Sequence, residues 1–333
     1  MIDSKEARLT VIIPVLNDGQ ALYDTVKNLR ETSEIDFDVM IINDGSTDGF
    51  DYKRVAREFR AQYIEHEERK GPAISRDEGV ELCSTEYFIT IDSHMKVYQR
   101  DWASLILKEL VNDRRAIFSC ATMGMDKNRE LYPDTGTGYG AYLNLETDVP
   151  TDTFDIHWVN MNFQPDETVV DAPCILGASY ACNRNYWKQL RGLEGLVLYG
   201  YEEQLISPKA WMEGGRCRII KNVTFAHYLN RRFQPYKTRH IEMLYDKLYV
   251  AKLLFQDVLD FPILLEAAKM ELGETWSKTI TNMLDQSKES IIDQQKYYKA
   301  TFNGNIHAFL NENNKAIDML KAVGKYKKTY TPF

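Results

Sequence analysis

The chain has 333 residues, of which 44% are hydrophobic and 12% are aromatic, and its formal net charge is −8 with a sequence pI of about 5.4. So large an apolar fraction excludes an intrinsically disordered protein, because these side chains can bury a substantial core. The acidic balance argues against a protein that binds nucleic acid through a broad basic surface, although it leaves room for a local basic groove.

Three features bear on cellular location. The five cysteines are scattered without a Cys-x-x-Cys pair, which favours reduced core thiols over a structural zinc site. The first six residues lack the basic and apolar regions of a signal peptide. The most apolar late stretch, residues 248–268, carries four charged side chains and is too polar to cross a membrane. We therefore expect a cytoplasmic protein without a transmembrane segment.

The first hundred residues alternate between strand and helix patterns. Three short apolar runs are typical of buried strands: residues 9–14, 37–42 and 88–91. A further short strand is expected at residues 62–65. The intervening segments carry helical signals: residues 21–29, 52–59 and 71–83. This alternation indicates βαβ units and a parallel sheet.

Two common nucleotide-binding motifs are missing from the sequence. No Gly-x-Gly-x-x-Gly follows the first strand, so a dinucleotide-binding oxidoreductase has little support. No Gly-x-x-x-x-Gly-Lys-Ser/Thr is present either, which removes the P-loop interpretation.

Polar residues follow two of the predicted strands at the edge where α/β sheets bind ligands. The strand at residues 88–91 ends in Asp92-Ser93-His94, and the strand at residues 37–42 ends in a turn with the sequence Asn-Asp-Gly-Ser-Thr-Asp-Gly. A carboxylate and an imidazole two residues apart can bind one cation. Carboxylate oxygens suit Mg²⁺ or Mn²⁺, and the imidazole favours Mn²⁺.

The pattern changes after residue 121. Residues 135–153 are rich in turn signals, residues 157–163 alternate like a half-exposed strand, and a predicted strand at residues 216–223 leads to His227. From about residue 235 the strand signals stop, and four helices are predicted: residues 240–255, 262–284, 291–301 and 305–323. We therefore expect an α/β domain at residues 1–235 and a helical C-terminal extension at residues 236–333.

Five motifs in order resemble nucleotide-sugar glycosyltransferases of the GT-A fold. Residues 11–17, 41–48 and 71–79 are similar to the opening strand, the "DDGSTD" segment and the "G…ARN.G" helix of family-two glycosyltransferases. Asp92-Ser93-His94 departs from that group's usual DxD and is similar to the DxH motif of polypeptide N-acetylgalactosaminyltransferases. His227 stands where the later histidine of that metal site is expected. Residues 199–203 resemble an acidic motif that both groups carry.

This resemblance spans about residues 9–235. It implies the GT-A fold, a Rossmann-like and mostly parallel sheet flanked by helices, to which the C-terminal helices are added. It also implies that Asp92, His94 and His227 hold Mn²⁺ or Mg²⁺. Without the DxH motif, His227 would be read as a packed core histidine.

The resemblance implies a second set of residues, which binds the nucleotide-sugar donor. Asp44 would accept a hydrogen bond from the base or ribose, although it also fits an Asx-turn at the strand end. Arg76 would lie near the nucleotide or its phosphates, or else be a solvated helix residue. Arg231, with Arg232, and Tyr236 would close over the diphosphate, or else form a charged surface loop. The remaining donor-binding candidates are Pro14, Val15, Asn17 and Ser93.

Glu202 and Glu203 are the acid–base candidates. In an inverting enzyme one carboxylate deprotonates the acceptor hydroxyl, and the resemblance assigns that role to Glu203. In the retaining group the glutamate contacts the acceptor or the donor sugar instead. The DxH motif with its later histidine favours retention and the N-terminal motifs favour inversion, so the stereochemistry stays open.

The sequence therefore predicts a metal-dependent glycosyltransferase that moves a sugar from a nucleotide sugar, in the first instance a UDP-sugar, to a hydroxyl group. The acceptor is a glycan, a protein or a small molecule. Two alternatives remain open at this point. One is an enzyme that glycosylates modified bases of nucleic acid, which needs a local basic groove. The other is a GT-A-like module that binds a nucleotide sugar without catalysis.

Overall fold

The computed structural model describes residues 8–132, 136–145, 154–197, 199–228, 240–272 and 274–326. Its strands are β1 (Leu9–Val15), β2 (Asp38–Asn43), β3 (Gln62–Glu65), β4 (Tyr87–Ile91), β5 (Met95–Val97), β6 (Ala116–Met125), β7 (Thr137–Gly138), β8 (Ala141–Leu143), β9 (Ile156–Trp158), β10 (Val169–Asp171), β11 (Ser179–Asn183) and β12 (Arg216–Tyr228). Its helices are α1 (Gly19–Thr32), α2 (Tyr52–Phe59), α3 (Pro72–Leu82), α4 (Trp102–Asn112), α5 (Arg184–Gln189), α6 (Glu202–Glu213), α7 (His240–Leu254), α8 (Phe261–Leu272), α9 (Glu274–Gln286), α10 (Lys288–Thr301) and α11 (Ile306–Ala322).

Ten of the described strands form one sheet in the order β10-β12-β6-β11-β4-β1-β2-β3, with β5 paired to β12 and β7 paired to β6. The neighbours β3, β2, β1 and β4 are parallel. Strand β11 is antiparallel to both β4 and β6, and β12 is parallel to β6. Strands β4, β6 and β12 therefore run in the same direction, and their carboxyl ends meet at one edge of the sheet.

Successive residues of the central strands face opposite layers, as the pleat requires. Val11 and Ile13 pack with the buried face of α1, where the predicted positions Leu22, Val26 and Leu29 lie. Ile12 points to the other layer, which α3 and α6 cover. Burial on both faces explains why these strands are almost wholly apolar in sequence.

The C-terminal helices pack in the same layer as α3 and α6. Tyr249, Phe255 and Phe309 are buried in the same cluster as Tyr180 of the sheet. The ring of Phe255 lies edge-on to that of Phe154, with 4.8 Å between the ring centroids. The C-terminal helices thus share a hydrophobic core with the sheet, and the division of the chain at residue 235 remains a prediction.

Three segments differ from the sequence-based expectation. The single helix expected at residues 262–284 is described as α8 and α9, and the strand expected at residues 157–163 is only β9. The strand expected at residues 216–223 continues to Tyr228. Its register shifts between Ile220 and Thr224, a β-bulge at the point where Lys221 and Asn222 interrupt the apolar pattern. Among the described helices, none has the length and apolar character that a membrane crossing requires.

Candidate metal centre and acid pair

Strand pairing brings together the three predicted metal ligands. Asp92 follows β4 directly, and His94 immediately precedes β5. Strand β5 pairs antiparallel with β12, with His227 opposite Met95, and the Tyr228 amide donates to the His94 carbonyl at 3.1 Å. Two histidines that are 133 residues apart in the chain therefore become neighbours.

The ligand atoms of this cluster have the spacing of a metal site. His94 Nε2 lies 3.0 Å from His227 Nε2, which lies 3.3 Å from Asp92 Oδ2. One ligand atom from each of the three residues lies within 4.8 Å of the others. An octahedral ion with ligands at about 2.1 Å has neighbouring ligand atoms about 3.0 Å apart, so these side chains fit Mn²⁺ or Mg²⁺.

Asp18 fixes which nitrogen of His94 faces this cluster. Its Oδ2 lies 2.8 Å from His94 Nδ1, and it also accepts the Ser93 hydroxyl at 2.8 Å. A carboxylate can only accept, so Nδ1 carries the proton and neutral His94 presents the lone pair of Nε2. A carboxylate behind a metal-binding histidine is the usual supporting contact in metal sites. Ser93, which was predicted to bind the nucleotide-sugar donor, contributes to this supporting contact through its hydrogen bond to Asp18.

Two of the three side chains have pKa values that favour the protonation state in which they can bind a metal ion. Burial opposes ionisation of Asp92, but contacts with His227 and Arg76 outweigh it and lower its pKa to about 2. Burial lowers the pKa of His227, which keeps this imidazole neutral. Burial also opposes the charged form of His94, yet Asp18 and Asp92 raise its pKa. A cation would therefore compete with a proton mainly at His94.

Arg76 joins the metal cluster to the acid pair. It is buried on α3, and its guanidinium donates to Asp92 Oδ1 at 2.8 Å and to Glu202 Oε1 at 3.1 Å. The guanidinium also lies over the Tyr180 ring, 5.4 Å from the centroid. The solvated-helix alternative for Arg76 is therefore wrong, since the side chain is paired and buried.

Glu202 and Glu203 begin helix α6. Gly200 and Tyr201 precede them with φ angles of 107° and 65°, so the chain enters the helix through two left-handed residues. Burial raises the pKa of Glu202. Burial and the neighbouring Glu202 raise the pKa of Glu203 to about 7. Glu203 lies against Gly177, where a β-carbon would overlap its carboxylate, so the small residue leaves space for the acid.

The predicted base-binding residues lie at the same edge of the sheet, at the ends of β1 and β2. The Asp44 amide donates to the carbonyl of Val15 at 2.8 Å, and Pro14 lies beside Ile42. The amide of Asn17 donates to Ser46 Oγ at 2.9 Å. These contacts tie the first predicted motif to the second.

The Asp44 carboxylate is buried and already accepts three hydrogen bonds of 2.8 Å. Two come from the amides of Lys70 and Gly71, and one comes from His66 Nδ1. The other nitrogen of His66 lies 2.7 Å from Glu78 Oε2. Asp44 therefore holds the residue 66–71 segment in place, and one of the about four acceptor positions of its carboxylate is left for a ligand.

Three predicted residues lie outside the described part of the chain: Arg231, Arg232 and Tyr236. Conversely, the sequence reasoning missed Asp18 and His66. Asp18 looks like a helix-cap residue, and it does occupy the N-cap position of α1, but its side chain makes no cap hydrogen bond. The pairing of Asp18 with a histidine 76 residues later has no local signature.

A surface concavity of about 470 Å³ lies beside Asp18, the residue that contacts His94, and is lined by Asn17, Asp18, Gly19, Gln20, Ala21, Asp48, Gly49 and Phe50. A larger one of about 720 Å³ lies between the end of α6 and α11. Its lining includes Arg216, which begins the strand that His227 nearly ends, so it opens at the opposite end of the sheet. The lining of the smaller concavity includes Asp18 but none of the three metal ligands.

The chain is similar in sequence to known glycosyltransferases. The model of glycosyl transferase family 2 matches residues 10–165. Probable polypeptide N-acetylgalactosaminyltransferase 8 of Homo sapiens is 30% identical over 181 residues, which cover 52% of this chain and 26% of that protein. Polypeptide N-acetylgalactosaminyltransferase 10 of Homo sapiens is 24% identical over 245 residues, which cover 68% of this chain and 38% of that protein. The chain therefore spans less than half of these relatives.

A solved structure gives the same result for the fold. The crystal structure of GalNAc-T7 with UDP, GalNAc and Mn²⁺ superposes with a TM-score of 0.71 at 16% sequence identity, covering 96% of this chain and 58% of that one. The predicted fold class is thereby confirmed. The chain has the GT-A fold, and its sequence resembles glycosyl transferase family 2 and the polypeptide N-acetylgalactosaminyltransferases, as predicted.

Proposed function

We propose that this chain is a metal-dependent glycosyltransferase that moves a sugar from a nucleotide sugar, first of all a UDP-sugar, to a hydroxyl group. The observation that carries the proposal is the convergence of Asp92, His94 and His227 at the sheet edge where α/β proteins bind nucleotides. The kinship with sugar-transferring families supports it.

The three ligands would hold Mn²⁺ or Mg²⁺, and the two imidazoles favour Mn²⁺. A bound divalent ion neutralises the charge that develops on a leaving diphosphate. The protein's own contribution is to keep the ligands in place. Asp18 orients His94. Arg76 lies between Asp92 and Glu202 and helps to keep Asp92 ionised.

Glu203 is the better candidate of the acid pair for contact with the reacting hydroxyl, since Glu202 is engaged by Arg76. A carboxyl with a pKa of about 7 can accept a proton near neutral pH, which suits a general base in an inverting reaction. In a retaining reaction the same carboxylate would instead contact the acceptor or the donor sugar.

We assign binding of the nucleotide-sugar donor to the sheet edge at the carboxyl ends of β1, β2 and β4. Pro14, Val15, Asn17, Asp44 and Ser93 form the part of this site that holds the nucleotide. Arg76 acts on the donor through Asp92, because both of its ion pairs are made within the protein. Arg231 and Tyr236 remain proposed contacts to the diphosphate.

The acceptor is a hydroxyl-bearing glycan, protein or small molecule, and the proposed compartment is the cytoplasm. All five cysteines are unpaired and buried, which fits a reducing environment.

The test is a screen of UDP-, GDP- and CDP-sugars with the full chain, in the presence and absence of Mn²⁺, read as nucleotide release. We expect release of one nucleotide only with the metal. Binding of a nucleotide and Mn²⁺ without any turnover, with acceptors of all three classes supplied, would contradict the proposal and favour a binding module.

A further inference from the structure

The loop before the acid pair has an unusual backbone. Gly195, Gly200 and Tyr201 have φ angles of 98°, 107° and 65°. The left-handed region is unfavourable for a non-glycine residue such as Tyr201, and such strain persists only where surrounding contacts hold the chain. The loop leads directly into Glu202 and Glu203, so whatever holds it also sets the position of those carboxylates.

One face of helix α7 makes these contacts. Asp246 Oδ1 accepts the amide of Val197 at 2.8 Å. The hydroxyl of Tyr249 fills the space beside Gly195, where a β-carbon would overlap it, and Met243 lies beside Gly200. Residues 243, 246 and 249 are three apart and therefore follow one stripe of the helix.

Asp246 is an unusual residue for this place. Its side chain is fully buried, and its second oxygen has no hydrogen-bond partner among the described residues. Burial raises the pKa of this carboxyl, and the nearby Glu202 and Glu242 add to the effect. A buried polar atom without a partner is unfavourable, so an aliphatic side chain would suit the packing better. The hydrogen bond to Val197 is what Asp246 adds.

Helix α7 is itself anchored on the helices that follow. Gln294 of α10 donates to the Tyr249 hydroxyl at 2.7 Å and accepts the Tyr298 hydroxyl at 2.7 Å. The hydroxyls of Tyr245 and Ser287 are 2.7 Å apart, and the Tyr245 ring lies beside that of Tyr249, with 5.7 Å between the ring centroids. The C-terminal helices thus form a fixed support beneath the loop.

We propose that Asp246 is a positioning residue for the acid pair. By accepting the Val197 amide it holds residues 195–197 and 199–201 on α7, and thereby places Glu202 and Glu203 beside the metal cluster. Asp246 acts through the loop and does not touch the substrate. This inference rests on the proposed function, and it gives the C-terminal helices a part in the reaction.

The experiment compares Asp246→Leu with Asp246→Asn in the full chain. Leucine removes the acceptor for Val197, whereas asparagine keeps an oxygen in its place. We expect Asp246→Leu to lower kcat about 10- to 100-fold with little change in the KM of the donor, because a small misplacement of a reacting group has effects of that size. Turnover is measured with the nucleotide sugar that the wild-type chain consumes fastest in the screen above, at saturating Mn²⁺.

Hydrogen exchange by mass spectrometry gives a second measurement that needs no ligand. Amides 195–203 should exchange about tenfold faster in Asp246→Leu, with β4 unchanged, and Asp246→Asn should restore both exchange and kcat. Tyr245→Phe is the matched control, since it removes the hydrogen bond from α7 to Ser287 while keeping the ring beside Tyr249, and it should leave kcat as in the wild type.

Wild-type kcat and loop protection in Asp246→Leu would overturn the inference, as would equal losses in the leucine and asparagine variants. Exchange that rises as much in β4 as in the loop would also overturn it, because the effect would then be general unfolding. A wild-type chain without turnover contradicts the proposed function instead, and the exchange comparison still decides whether Asp246 holds the loop.

Discussion

The metal cluster and the acid pair lie side by side but are built in different ways. Asp92, His94 and His227 are held by strand ends and by the pairing of β5 with β12. Glu202 and Glu203 follow a loop with left-handed residues and depend on α7, whose Asp246 lies 49 residues after Val197 of that loop. Arg76 connects the two regions through one ion pair to each.

This difference implies that metal binding and chemistry are separable. Sheet register is set by many backbone hydrogen bonds and by the burial of both faces, so single changes in the C-terminal helices should leave the metal ligands in place. The acid pair has few such restraints, and changes around it should affect turnover without changing metal affinity. The predictions below test this separation, in order of decreasing effect.

The largest effect is expected from removing a metal ligand. Asp92→Ala or His94→Ala should abolish Mn²⁺ binding, measured by electron paramagnetic resonance, and should lower nucleotide release on the order of 1000-fold or more, since the ion contributes several kcal/mol to charge stabilisation. His307→Ala is the control, because this histidine is exposed on α11. Turnover at the wild-type level in either ligand variant, with the fold retained, would remove the metal assignment.

Removing the proposed base should affect chemistry alone. Glu203→Gln should lower kcat about 1000-fold, within the range of 10²- to 10⁴-fold for general acid–base catalysis, while Mn²⁺ affinity stays as in the wild type. The exposed Glu289→Gln variant controls for the loss of one negative charge. Equal weakening of metal binding in Glu203→Gln would mean that the two regions are not separable.

The sequence was sufficient for the metal cluster but not for its supports. Asp92 and His94 share a short motif after an apolar strand, so their proximity follows from the chain itself. His227 was found only because of its order relative to that motif, as the strand continues past a β-bulge that the apolar pattern does not indicate. The α/β architecture was predictable for the same reason, because the strands are buried on both faces and read as continuous apolar runs.

The missed residues act over long separations in the chain. Asp18 reads as a helix cap, and Asp246 reads as a polar residue of an amphipathic helix. Their partners His94 and Val197 lie 76 and 49 residues away. Arg76 was expected near phosphates, whereas burial between two carboxylates gives it internal partners instead. Such pairings follow from tertiary packing, which leaves no local pattern in a single sequence.

A smaller effect is expected behind the metal ligand. Asp18→Ala should weaken Mn²⁺ binding about 10- to 100-fold, because His94 loses the acceptor that fixes its tautomer and ring orientation. Asp18→Asn retains an acceptor oxygen and should recover most of the affinity, which calorimetric titration with Mn²⁺ can measure. An unchanged affinity in the alanine variant would show that β5 alone orients His94.

The smallest expected effect is a pH dependence of kcat that distinguishes the acid pair from the metal cluster. Burial and Glu202 raise the pKa of Glu203 to about 7, so the carboxyl holds its proton below that pH and cannot accept one from the acceptor hydroxyl. At saturating Mn²⁺, kcat should therefore fall about tenfold for each pH unit below about 7, and it should be constant above. Saturation is necessary because the pKa of His94 is also raised, so that protons compete with the metal at the other site.

The profile of Glu203→Gln should lose this acidic limb while keeping the pH dependence of Mn²⁺ affinity. A wild-type kcat that stays flat down to about pH 5.5, together with retained anomeric configuration in the product, would exclude Glu203 as a base and assign it to contact with the sugar.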